Sequence, residues 1–341
     1  MKTVMKPSVG VEGAKPLRKE APEGQPFRWT RRDVLETDDW SRAEIEAVLE
    51  TTGAMIGILQ RPVRRAPPLR GKTVILFFAE ASTRTRVSFE LAAKTLSADV
   101  VNITASGSSV EKGETLYDTV RTLEALGGDV VVMRHASSGA PYFVAERTGA
   151  AVINAGDGWH AHPTQGLLDA YTLRASLGDL DGKRVVIVGD VLHSRVARSD
   201  INALVPLGAQ ITLSGPPTLM PIAWRRGALP HRVTYEPDID RALEGADAAI
   251  ALRLQKERQE GGLLPSVREY ARVWGLTEER VGRMKPSAPV MHPGPMNEGV
   301  EIEAAVAHGA RSLVEKQVTN GVAVRMALLY LLVGTPSLEI A

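Results

Sequence analysis

Short apolar runs alternate with amphipathic segments along most of this chain. Four runs come first: "TVILF" (73–77), "DVVNI" (99–103), "DVVVM" (129–133) and "AVIN" (151–154). Five more follow: "RVVIV" (184–188), "QITLS" (210–214), "RVTYE" (232–236), "AAIAL" (248–252) and "PVMH" (289–292). Their length and β-branched content predict strands. The stretches between them carry helical periodicity. In 114–126, Leu116, Val120, Leu123 and Leu126 fall on one helix face. Continuous apolar strands separated by helices imply parallel sheets covered on both faces. Two sets of strands predict an α/β protein with two doubly wound parallel-sheet domains joined by helices. The first spans 29–163 and the second 164–313. The segment 164–177 reads as a helix between them. An apolar helix at about 314–333 closes the chain and returns to the first domain. Ser41 and Glu44 form a capping-box pattern ahead of Ile45, Val48 and Leu49. "RRAPPLRGK" (64–72) reads as a loop. Residues 1–28, rich in Lys, Pro, Gly and Glu without apolar periodicity, read as a mobile tail.

Composition changes this picture little. The chain is 44% hydrophobic and 24% charged, ordinary for a soluble protein with a sizeable core. Its 41 basic residues offset 40 acidic ones, for a net charge of +1. Bulk attraction to nucleic acid or a membrane gains no support from that balance, so any cationic site must be local. The absence of cysteine excludes disulfides and thiolate metal sites and fits a cytoplasmic location. The sequence shows no run of 18 apolar residues and no signal-peptide pattern at its start.

The candidate chemistry collects at strand ends. "FFAEASTRTRVSFE" (77–90) places Ser82, Thr83, Arg84, Thr85 and Arg86 between a strand and a helix. Backbone N–H groups at a helix start lack internal partners, and the helix dipole is positive there. Hydroxyls add donors, and the Arg84 fork matches phosphate geometry. The cluster reads as a phosphate or carboxylate cradle. No GxxxxGK[ST] is present, so it is not a Walker loop. Arg134 follows "VVVM" at the ligand-bearing end of its strand, and His135 beside it reads as structural. His160 and His162 invite a metal reading, but no third ligand is evident, so no metal is expected. Gly189 is followed by Asp190-Val191-Leu192, which fails the dinucleotide fingerprint and argues against a nicotinamide cofactor. "RLQKER" (253–258), taken alone, reads as a solvated charge run. In "MHPGP" (291–295), two prolines stiffen a loop, and Gly294-Pro295 is a place where a cis bond is tolerated.

Five blocks, "STRTR", "SSVEKGETLYDT" (108–119), "VMRH", "HPTQGLLD" and "HPGP", occur in one order. With them the chain resembles the aspartate branch of the carbamoyltransferase family from about residue 30 to 333. The resemblance implies a carbamoyl phosphate-binding domain in 29–163 and an aspartate-binding domain in 164–313. It implies that Ser82, Thr83, Arg84, Thr85 and Arg134 hold carbamoyl phosphate. His162 would donate to the carbamoyl oxygen, and Gln165 and the carbonyls of the Gly294-Pro295 loop would hold the amide. Arg195 would bind the α-carboxylate of aspartate, with Arg253 and Gln255 on the second carboxylate. "GDVLHSR" favours Arg195 over Arg198 for that role. Lys112, with Ser108 or Ser109 beside it, would reach into the site of a neighbouring subunit. Arg84, Thr85, Arg134, His162 and Lys112 would carry the catalysis. The 253–262 loop would move most on domain closure. Glycine at 294, where many relatives carry leucine, should loosen its loop.

The ornithine branch shares the cradle but carries a cysteine in the histidine-proline loop and lacks the lysine. This chain has no cysteine, has Lys112, and offers Arg195 and Arg253 as further cations. Buried unpaired charges cost several kcal/mol as an order of magnitude, so a dicarboxylate acceptor is expected. No cofactor is implied. A site completed by Lys112 from a second chain demands at least a cyclic oligomer, and the resemblance implies a homotrimer. Assembly beyond it, with a regulatory or dihydroorotase partner, stays open. A catalytically silent scaffold on the same fold is the competing class, and the complete donor set argues against it.

Overall fold

The computed structural model describes residues 27–104, 115–254, 263–264 and 266–334. Nine strands are present among them at the positions read from the sequence. They are β1 (Thr73–Phe78), β2 (Asp99–Thr104), β3 (Val130–His135), β4 (Ala151–Asp157), β5 (Arg184–Val188), β6 (Gln210–Ser214), β7 (Val233–Tyr235), β8 (Ala248–Ala251) and β9 (Val290–Met291). Every pairing is parallel. One sheet runs β2-β1-β3-β4 and the other β7-β6-β5-β8-β9. In each the strand order reverses beside the first strand, between β1 and β3 and between β5 and β8. Crevices outside the carboxyl ends of strands at such points are where open α/β sheets hold ligands.

The helices are α1 (Arg42–Leu59), α2 (Thr83–Thr95), α3 (Leu116–Ala125), α4 (Ala140–Ala145), α5 (Pro163–Leu177) and α6 (Arg195–Leu204). Shorter ones follow: α7 (Ile222–Arg225), α8 (Ile239–Leu243), α9 (Val267–Trp274), α10 (Glu278–Val281) and α11 (Ala304–Ala307). The closing helix is α12 (Val314–Val333). β1 shows why its run is continuously apolar. Val74, Leu76 and Phe78 join the core beneath α1, α2 and α12. Ile75 and Phe77 join the one beneath α3 and α4. Both faces are covered, so alternation would bury polar side chains.

Ser41 caps α1 as expected, with Glu44 N donating to its Oγ at 3.3 Å and Ser41 N donating to Glu44 Oε2 at 2.8 Å. Such a cap is worth about 1 kcal/mol. The cap of α3 is a second capping box, Thr115 with Asp118. α12 packs on α1, α2 and α5, and α5 packs on α6. One core cluster therefore runs from the first sheet through these helices to the second. Among the described residues no helix is long and apolar enough to cross a membrane.

Candidate active site

The carboxyl ends of both sheets open onto one pocket of about 890 Å³. Ser82, Thr83, Arg84 and Thr85 enter it from the turn after β1, and Arg134 from the end of β3. His162 and Gln165 come from the start of α5. Arg195 begins α6 after β5, Arg253 follows β8, and Gly294 and Pro295 follow β9. All these sequence candidates therefore meet in one place. Lys112, Gln255, Ser108 and Ser109 lie outside the described residues, so the structure is silent on them.

The cradle follows from its backbone. Ser82 is the N-cap of α2, but its side chain makes no capping bond. The first-turn N–H groups are thus left without that hydroxyl acceptor, at the positive end of the dipole. Thr85 is buried, while Thr83 and Arg84 stay exposed. Arg84 stacks close to Gly294, where an added Cβ would overlap its Nη1. Gly294 has φ +64°, a conformation that favours glycine. The Gly294-Pro295 peptide is cis, at the place where the sequence tolerates such a bond.

The expectation that Gly294 loosens its loop is corrected here. Its N–H donates to His292 Nδ1 at 2.8 Å, and His292 Nε2 meets Glu301 Oε1 at 3.2 Å. His292 N donates to Gln317 Oε1 at 3.0 Å, which ties the loop to α12. Glycine makes room for Arg84 in a loop braced from elsewhere.

Arg134 and Arg195 converge on one carboxylate, Glu80. Arg134 Nη2 donates to Glu80 Oε1 at 2.5 Å. Arg195 Nη2 donates to the same oxygen at 2.7 Å, and its Nη1 to Oε2 at 3.2 Å. Backbone carbonyls fix the other edges, Ala155 O for Arg134 at 3.2 Å and Gly158 O for Arg195 at 3.1 Å. Between them sits Gly156 at φ +117°, where a Cβ would lie 3.0 Å from Arg195 Cζ and 3.1 Å from Arg134 Nη1. The two guanidiniums belong to different sheets, so this contact spans the crevice. Arg198 points elsewhere, donating to the carbonyls of Trp159, Leu192 and Ser194.

The two histidines of "HAH" have opposite charge states. His162 is buried, and burial, then the Arg134 and Arg195 charges, hold it well below its usual range. It is a neutral imidazole. Thr164 Oγ1 lies 3.4 Å from its Nδ1. With that hydroxyl donating, the ring proton sits on Nε2 and can be offered to a carbonyl oxygen. His160 instead lies between Asp157 and Glu36, 3.0 Å from each. Hydrogen bonds to Asp157 and then Glu36 lift it from 6.5 to about 10. Its stabilising ion pairs are therefore complete below pH 6.5 and are lost as the pH rises to about 10. Thermal melts across that window should show a falling midpoint in the wild type and a flatter profile in His160→Gln. Equal slopes would mean that His160 is not the charged group.

Sequence reasoning missed Glu80, Ser88, Gln317 and Arg325, all of which line the pocket. Arg325 is buried, donates to Ser88 Oγ at 2.8 Å and lies 5.1 Å from the Phe89 ring centroid. A lone arginine inside the apolar "VAVRMALLYLL" was the available signal. Glu80 stood within the quoted "FFAEAS", but nothing local tells a carboxylate to pair with distant arginines.

Residues 32–175 match the family described as aspartate/ornithine carbamoyltransferase, carbamoyl-P binding domain. Residues 181–332 match its Asp/Orn binding domain. The chain is similar to the aspartate carbamoyltransferase catalytic subunit of Roseiflexus castenholzii. The two are 58% identical over 308 residues, covering 90% of this chain and 96% of that one. It is 58% identical over 306 residues to the corresponding subunit of Chloroflexus aurantiacus, covering 89% and 99%. Among solved structures, it resembles aspartate transcarbamoylase from Trypanosoma cruzi in complex with carbamoyl aspartate and phosphate. That likeness has a TM-score of 0.80 at 30% identity, covering 90% of this chain and 98% of the other. Ornithine carbamoyltransferase from Pyrococcus furiosus gives 0.81 at 28% identity, covering 90% and 99%.

Proposed function

The chain belongs to the aspartate/ornithine carbamoyltransferase family, and from that premise we propose that its pocket joins carbamoyl phosphate to L-aspartate. The enzyme transfers the carbamoyl group to the α-amine of aspartate, giving N-carbamoyl-L-aspartate and phosphate, a step of pyrimidine biosynthesis. The observation that carries this reading is the convergence of Arg84, Arg134, Arg195 and Arg253 from both sheets on one pocket. Fold alone does not choose the acceptor, since an ornithine enzyme shares it. The choice rests on charge and on kinship. Arg195 and Arg253 suit a dicarboxylate, whereas ornithine would add a cation, and the relatives at 58% identity are aspartate enzymes.

Carbamoyl phosphate binds on the first-sheet side, with Ser82, Thr83, Arg84 and Thr85 around the phosphate. Thr85, Arg134 and neutral His162 stabilise the oxyanion as the α-amine attacks the carbamoyl carbon. Such a donor is typically worth about 3 kcal/mol of barrier. The C–O bond to phosphate then breaks, and the departing phosphate, held by Arg84, takes the amine proton. Arg195, Arg253 and Gln255 hold aspartate. No cofactor enters this sequence. On this reading 29–163 with α12 forms the carbamoyl phosphate-binding half and 164–313 the aspartate-binding half, with α12 packed on α1 and α2 of the first half.

Lys112 completes the site from a neighbouring chain in a cytoplasmic homotrimer. Exposed Val87 and Leu91 on α2 and Val101 on edge strand β2 supply apolar surface for such a contact. A colorimetric assay for carbamoyl-aspartate tests the reaction, with ornithine as the control acceptor. No product, or a preference for ornithine, overturns it. Mixing Arg84→Ala with Lys112→Ala chains tests sharing. Random exchange should restore about a quarter of the sites, and no regain of activity would rule out a site shared through Lys112.

A further inference from the structure

Two buried aspartates behind the pocket have no part in the chemistry above. Asp169 on α5 and Asp200 on α6 are both 0% exposed. Asp169 accepts from Gln317 Nε2 at 2.6 Å and from Gln165 Nε2 at 3.2 and 3.1 Å. Neither oxygen of Asp200 meets a donor among the described residues. Its side-chain partner is Asp169 itself. Two carboxylates in such contact cannot both ionise, so they share a proton. Burial, and then the Asp169 charge, push Asp200 far above the usual carboxylate range. Burial raises Asp169 too, to about 6, but its two amide donors and the nearby Arg325 charge oppose that rise, and Asp200 has neither. The proton therefore belongs to Asp200, which donates it to Asp169.

This arrangement fixes an amide. With Asp169 ionised, Gln165 must turn its Nε2 to it, because the reverse orientation would set Oε1 against a carboxylate. Gln165 Oε1 is then the polar atom left for the pocket, and it can accept a hydrogen bond but not donate one. We propose that Asp200 is a positioning residue: as a carboxylic acid it keeps Asp169 an acceptor, and Asp169 holds the Gln165 oxygen toward the carbamoyl NH₂. The pocket thereby selects a carbamoyl group over an acyl group of the same shape. This rests on the reading of the pocket as a carbamoyl phosphate site. Without the Asp200 donor, buried Asp169 takes up a proton of its own. Its hydroxyl can then donate to Gln165 Oε1 and reverse the amide.

The test compares binding of carbamoyl phosphate, acetyl phosphate and inorganic phosphate to wild type, Asp200→Asn and Asp200→Leu. Acetyl phosphate keeps the phosphate and carbonyl but replaces the NH₂ by a methyl. Asp200→Leu should lose about tenfold of the preference for carbamoyl over acetyl phosphate, the value of one buried hydrogen bond. Its affinity for inorganic phosphate should not change. Asp200→Asn, whose amide still donates, should keep the wild-type preference. An unchanged preference in Asp200→Leu, or an equal loss in Asp200→Asn, overturns the proposal. A wild type that binds none of the three anions would instead sink the pocket reading. Infrared difference spectra need no leucine variant. The wild type at neutral pH should show a protonated-carboxyl C=O stretch that Asp200→Asn lacks, and its persistence in that variant also overturns the assignment.

Discussion

Replacing Arg134 by alanine should lower kcat by roughly three to four orders of magnitude while the chain stays folded. Two contributions add. An oxyanion donor is worth about 3 kcal/mol, and a charge-assisted bond to phosphate about another 1.5–3 kcal/mol. Glu80 can then turn wholly to Arg195, to which it already makes two bonds. For the same reason the fold should survive, since the carboxylate keeps a cation. Arg134→Lys should fall between the two, because an ammonium restores the charge without the planar fork. Steady-state rates at saturating substrate, beside thermal melts, check this. A kcat within tenfold of wild type in a folded Arg134→Ala chain would remove Arg134 from the chemistry.

The second large effect should separate the substrates. Arg195→Ala is expected to raise KM for aspartate by about a hundredfold, from the loss of roughly 3 kcal/mol of charged hydrogen bonding. Carbamoyl phosphate should saturate nearly as before. Arg195 begins α6 on the second sheet, and among the described residues its hydrogen bonds to the first-sheet side go to Glu80 and the Gly158 carbonyl. If the KM for aspartate holds and that for carbamoyl phosphate rises, Arg195 serves the wrong ligand in this account. Kinetics with each substrate varied in turn decide the matter.

Much of this was legible before the fold was seen. The strands could be read because both sheets are covered on both faces, which forces runs such as "VVVM" to be apolar throughout. The Ser41–Glu44 cap could be read because it is local. The arginines were legible as a group only through the resemblance, for no periodicity marks Arg195 over Arg198. What could not be read shares one property. Glu80, Asp200 and Arg325 act through partners far along the chain, such as Arg325 with Ser88, and Asp169 joins its neighbour Gln165 to the distant Gln317. A charged residue in an apolar helix announces that a partner exists but not which one. Gly294 erred in the other direction. Its freedom was legible, but the brace from His292, Glu301 and Gln317 was not.

The bridge from Glu80 to both guanidiniums also sets a condition on which anions can pair with them. A carboxylate tethered at 2.5–3.2 Å acts like an inhibitor present at very high local concentration. Acetate, chloride and other weak anions of the cell would have to trade one-for-one against it and would gain almost nothing. Only a visitor bringing more negative charge, spread over more oxygens, evicts the resident. Glu80 would thus set a threshold of total charge for entrants, ahead of any comparison of shape.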